Sequence, residues 1–170
     1  MTPQDCAARL RSRKEPAPLV PSGVWDAALD AEIERLLPDT APLKSALHLW
    51  NDNLTRAHEV AQEIKTQTGS YLHGVMHRRE PDYENAKYWF HKVGAHPLFP
   101  RVREAALELL SGPFATLPAW RKAVESSKEW DPFRMVDACQ EAARKDSDDS
   151  LVLFLRTLQA REIELLTSAC

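Results

Sequence analysis

The sequence predicts an all-α fold, an irregular bundle or stack of about nine helices with helical-hairpin character. Three observations carry that reading. The 170 residues include 22 Ala and 21 Leu against nine Val and three Ile; straight and γ-branched apolar residues favour helix, β-branched ones favour sheet. Only five glycines are present, too few for the positive-φ turns of a hairpin-rich sheet. Thr2-Pro3 and Asp131-Pro132 each pair a capping side chain with proline at the first helical position.

The elements follow in order. Thr2-Pro3 opens a short charged helix to about Arg13, and Glu15 to Gly23, with three prolines, is a linker or an arm on the surface. A second helix is expected from Val24 to Leu37, with Trp25, Ala28, Leu29, Ile33, Leu36 and Leu37 on one face and Pro38 ending it. Helical periodicity then covers Pro42 to Trp50, Leu54 to Thr66, Ser70 to Glu80, Tyr83 to Val93, and Pro100 to Leu110. Pro118 opens a helix to about Lys128, and Asp131-Pro132 opens one to about Lys145. A polar break from Asp146 to Ser150 precedes a last helix, Leu151 to Thr167.

The length fits one domain over 1–170, with the helix and arm of 1–23 preceding core hairpins over 42–97. A net charge of −3 excludes a strongly basic nucleic-acid binder. No apolar run approaches the roughly 20 residues of a membrane span. No apolar stretch follows the charged N-terminus as a secretory signal would require. Cys6, Cys139 and Cys170 are odd in number, far apart and without a C-x-x-C pair. The expected location is therefore the reducing cytoplasm, with inert thiols.

A shift of 29 residues superposes two helix–break–helix units. Leu43, Ala46, Leu47 and His48 fall on Leu72, Val75, Met76 and His77, and Leu54, Ala57, Val60, Ala61 and Ile64 fall on Tyr83, Ala86, Trp89, Phe90 and Val93. These units resemble tetratricopeptide or Sel1-type helical hairpins, with Asp82-Tyr83-x-x-Ala86-x-x-Trp89-Phe90-x-Lys92 similar to the second helix of a Sel1 unit. The resemblance implies a non-enzymatic module that binds a partner protein.

All six histidines lie between positions 48 and 96. On the 70–80 helix, His73 and His77 stand at i, i+4 and Glu80 follows at i+3, so the three share a face bordering the apolar stripe. His58 edges the stripe of the preceding helix, with Gln62 one turn on. Antiparallel packing across a Gln67 to Gly69 turn would bring His58 to His73 or His77. Two histidines and a carboxylate on one helix, completed by a third histidine, are a ligand set for one divalent metal (zinc, iron or manganese) at His58, His73 and His77. Glu80 would then be the fourth ligand or a general base. The same groups also suit a pocket without metal, or plain structural hydrogen bonding. The string His58-Glu59-x-x-Gln62 misses the H-E-x-x-H signature, because Gln62 replaces the second histidine.

Arg78 and Arg79 continue the charged string. Arg78 is the candidate for orienting a small anionic ligand, with Arg79 beside it. Arg79 projects toward the apolar stripe and reads more as a buried ion pair with Asp82 or Glu84. Tyr83, Tyr88, Trp89 and Phe90 read as core. The interleaved cations and aromatics from Arg78 to Arg103 would suit single-stranded nucleic acid, a reading that the overall acidity disfavours. No Gly-rich phosphate loop and no G-x-S-x-G elbow is present.

The spaced residues His58-x-x-x-Gln62-x-Ile64, Gly69-x-x-x-His73-Gly74-x-Met76-His77-Arg78-Arg79-Glu80-Pro81-Asp82, and Asn85-Ala86-Lys87-Tyr88-Trp89-Phe90-x-x-Val93-Gly94-x-His96-Pro97 form one pattern, which continues at Trp130-Asp131-Pro132-Phe133. It resembles an uncharacterised bacterial and fungal all-helical family. The resemblance implies a shared fold and a shared pocket around His58, Gln62, His73, His77, Arg78, Arg79 and Glu80. It implies no reaction.

Overall fold

The computed structural model describes residues 1–144 and 150–170. The expected end of the ninth helix at Lys145 and all of the expected polar break but Ser150 lie outside the described residues; Ser150 itself opens the last helix. Among the described residues there are ten helices and no strand, one for each segment taken in order from the sequence and one more than the rounded total of about nine. They are α1 (Pro3–Arg11), α2 (Ala27–Leu36), α3 (Pro42–Trp50), α4 (Leu54–Gln62), α5 (Gln67–Arg79), α6 (Tyr83–Val93), α7 (Phe99–Ser111), α8 (Pro118–Ser126), α9 (Pro132–Ala143) and α10 (Ser150–Ala169). No helix among them is long and apolar enough to cross a membrane.

The helix starts follow from their caps. Thr2 and Asp5 form a reciprocal capping box at α1, their side chains 3.2 and 2.7 Å from each other's backbone N–H. Asp131 accepts from the amides of Phe133 and Arg134 at α9. Several boundaries depart from the expected ones, and two have a visible cause in the caps. The second helix starts at Ala27 rather than Val24, because the Asp26 carboxylate accepts from Leu29 N–H at 2.9 Å and fixes the cap there. Trp25 is left in the entering segment, where its N–H donates to the Asn51 carbonyl. The fourth helix stops at Gln62 and α5 begins at Gln67, because Thr66 caps the Gly69 amide. The connection is thus 63–66 rather than 67–69.

One hydrophobic cluster runs from Cys6 in α1 to Leu166 in α10. Within it α5 is central, packing on α3, α4, α6 and α9, and its residues 71–79 are all buried. Two glycines permit this. A Cβ at Gly69 would lie 2.1 Å from the Ile64 carbonyl oxygen, and one at Gly74 would lie 3.0 Å from the Phe90 ring, so α5 approaches the 63–66 connection and α6 closely. The long helix α10 closes the core against α3, α7 and α9. The segment between α1 and α2 lies on α10, with Arg156 donating to the carbonyls of Pro16 and Ala17 at 2.5 and 3.2 Å.

Candidate functional site on the central helix

Burial of every side chain from 71 to 79 forces each polar group on α5 to find a partner or go without, and the string splits two ways. On the side facing α4 and α6, three predicted residues meet. The rings of His58 (α4), His73 and His77 (α5) have centroids 5.1 to 6.2 Å apart, with His58 edge-on to the other two. His73 and His77 form the buried floor, while His58 is half-buried and Gln62 and Glu80 are exposed at the rim.

Each ring is held by its own contacts. The Nδ1–H of His73 donates to the Gly69 carbonyl at 3.0 Å, one turn back, which leaves its Nε2 as a lone-pair acceptor. That Nε2 is buried and has no hydrogen-bond partner among the described residues. The His73 ring also stacks on Trp89 of α6, 4.0 Å between centroids and 14° between planes. His77 Nδ1 lies 3.3 Å from the Glu80 carboxylate, and the Asn85 amide of α6 lies 3.1 Å from His77 Nε2. Gln62 places its amide 3.2 Å from the His58 ring. Glu59 points elsewhere, to Arg56 at 2.6 Å.

Burial is the main cause that pushes the His73 pKa down, to about 4, its bond to the Gly69 carbonyl opposing and the neighbouring His58, His77 and Lys65 adding to the depression. His77 is also lowered, first by burial and then by His58, against the opposing carboxylates of Glu80 and Asp82. The floor of the cluster is therefore neutral imidazole near neutral pH.

Among the described residues, no group of three or more His, Cys, Asp and Glu side chains is arranged to hold a metal ion. The expectation of zinc, iron or manganese at His58, His73 and His77, with Glu80 as fourth ligand or general base, finds no support in this arrangement. His77 and His58 engage Glu80, Asn85 and Gln62, and one nitrogen of His73 alone is left without a partner.

The two arginines of the string turn away from the histidines. Arg78, expected to orient an anion, is fully buried and reaches α10, where Nη2 lies 2.5 Å from the Glu162 carboxylate and Nε lies 3.3 Å from Gln159. Glu162 also accepts from the Tyr71 hydroxyl at 2.8 Å. Arg78 is thus an internal counter-ion, and its charge is already neutralised by the chain. Arg79 is a buried ion pair as expected, with a different partner. It meets Asp52 at 2.5 Å and the Leu49 carbonyl, rather than Asp82 or Glu84. Asp52 holds a left-handed backbone (φ 64°) in the α3–α4 turn and also accepts from Arg13 at 2.6 Å.

The other three histidines lie apart from the cluster. His48 pairs with Asp30, His91 packs on Phe133, and His96 packs beside Tyr71. Sequence reasoning missed Asn85 and Trp89 as members of the site. Their i, i+4 spacing puts both on one face of α6, a signal the 83–93 segment did carry. Comparison of the chain with family models, with curated proteins and with solved structures found no match.

Proposed function

We propose that the protein is a binding protein whose site is the α4–α5–α6 histidine cluster, and that its ligand is a small molecule offering hydrogen-bond donors, hydroxyl or amine, rather than an anion or a metal ion. The observation that carries this reading is the buried Nε2 of His73, a lone pair without a partner between two further imidazoles. A buried acceptor left unpaired is costly, and a ligand O–H or N–H would relieve it. Neutral imidazoles disfavour an anion, and both arginines are spent on internal carboxylates. A pKa near 4 leaves His73 a weak base at neutral pH, which suits binding better than proton transfer. The Sel1-like reading of the hairpins fits this proposal as scaffold: α3–α4 and α5–α6 are each closely packed pairs, and the cluster sits where α4 meets α5.

The test is an imidazole nitrogen NMR titration at pH 7.5. Glycerol and ethanolamine serve as donor probes, acetate and sulfate as anions, and zinc chloride as the metal. The proposal expects a saturable shift of the His73 Nε2 resonance with a donor probe, abolished in His73→Phe, and none with acetate or sulfate. Saturable binding of sulfate, stoichiometric zinc binding lost in His73→Phe, or no response to either donor would overturn it.

A further inference from the structure

A groove lies away from the histidine cluster. The turn entering α7 and the segment between α8 and α9 enclose a groove of about 460 Å³ whose lining includes Ala95, His96, Phe99, Arg103, Lys128 and Trp130. The strings His96-Pro97 and Trp130 are more than 30 residues apart in the sequence and meet only here. We propose that this groove binds a small organic carboxylate with an apolar body, the carboxylate among Trp130, His96 and the Arg103–Lys128 rim and the hydrocarbon along Phe99 and the flanking prolines.

Four observations support the assignment. Trp130 is 5% exposed, and its indole N–H is buried without an acceptor among the described residues. An indole N–H donates and cannot accept, so the group that completes it carries an acceptor oxygen. His96 presents a second donor. Its Nδ1 accepts from Leu98 N–H at 3.2 Å, which places the ring proton on Nε2, and burial lowers its pKa, so the ring offers one N–H and no charge. The rim is net cationic. Among the described residues, Arg103 bonds only to the carbonyls of Ser127 and Glu125, no carboxylate neutralises it, and Lys128 has no ion pair. The Glu129 side chain on the same rim leaves an excess of one positive charge. The remaining walls, Ala95, Pro97, Phe99 and Pro100, are apolar. Apolar walls with a few convergent polar groups are the usual make-up of a small-ligand site. Unmet donors beside unpaired cations choose an anionic acceptor over a neutral one.

The assignment is independent of the histidine cluster and is tested separately on the full chain. The probes are 4-phenylbutyrate and its uncharged match, 4-phenylbutanol, followed through the Trp130 indole N–H resonance, which Trp130→Phe identifies. Phenylbutyrate is expected to shift that resonance saturably and to bind about tenfold more tightly than the alcohol, since a hydrogen bond to a charged group outweighs a neutral one. Lys128→Gln is expected to remove most of that preference while leaving the alcohol's affinity unchanged, and His73→Phe to leave both unchanged. Equal affinity for acid and alcohol, no saturable shift with phenylbutyrate, or a preference insensitive to both Lys128→Gln and Arg103→Gln would overturn the proposal.

Discussion

Two faces of one helix differ in the charge they bury. On one, Arg78 and Arg79 carry full charges into the interior and meet carboxylates, Glu162 from α10 and Asp52 from the α3–α4 turn. On the other, His73 and His77 enter the interior uncharged, and one nitrogen of His73 goes unmet. Burying a charge demands a partner from the same chain, because its desolvation costs several kcal/mol. Burying a neutral imidazole costs less and tolerates an open valence. The arginine face thus ties distant segments together, although Arg78 Nη1 and Arg79 Nε also lack an acceptor among the described residues; the proposed ligand site is on the histidine face.

The largest expected effect breaks the arginine face. Arg78→Met strands the Glu162 carboxylate in the core and should cost about 3–5 kcal/mol of unfolding free energy, measured by urea denaturation. The double variant Arg78→Met with Glu162→Leu should recover most of that loss, since a buried pair is replaced by apolar packing. A double variant as unstable as the single would mean that the pair contributes more than mutual neutralisation.

The histidine face should respond to pH instead. The folded His73 pKa near 4 lies below the ordinary value of 6.5, so the unfolded chain binds the proton more tightly. The stability this contributes is present above pH 6.5 and is lost as pH falls toward 4, by up to about 3 kcal/mol. His77, also lowered, adds in the same direction. Denaturation curves between pH 7.5 and 4 should show a steeper fall for the native chain than for His73→Phe, and parallel falls would contradict the neutral floor.

The packing that brings α6 to the cluster should show a comparable or smaller effect. A Cβ at Gly74 would meet the Phe90 ring at 3.0 Å, so Gly74→Ala should cost about 1–3 kcal/mol by overpacking. It should also loosen the His73–Trp89 stack, visible as a change in near-ultraviolet circular dichroism. Glu80→Gln should matter least. Its contact with the neutral His77 ring, made by a carboxylate at the exposed rim, is worth under about 1 kcal/mol, and thermal melts of the variant should nearly superpose on those of the parent.

Much of the fold was legible because its signals are local. Proline at the first turn of α1, α3, α8 and α9 marks those starts whatever the tertiary context. Trp25 and the 63–66 connection were misplaced because periodicity continues through a cap, and the capping side chains Asp26 and Thr66 decide the boundary. The meeting of His58, His73 and His77 was accessible from helical spacing plus a short connection. The partners of Arg78 and Arg79 were not, since Glu162 is 84 residues and Asp52 is 27 residues away in the chain. No pattern within one helix could show that the two guanidinium groups are neutralised, nor that Asn85 from α6 would satisfy His77.

The measurement that tests the central claim most directly is a pH titration of the His73 ring nitrogens by long-range proton–nitrogen NMR. The account predicts a neutral ring protonated at Nδ1, with Nε2 reporting as an unprotonated acceptor from pH 8 until it titrates near 4. A ring that titrates near 6.5, or one carrying its proton on Nε2, would contradict it.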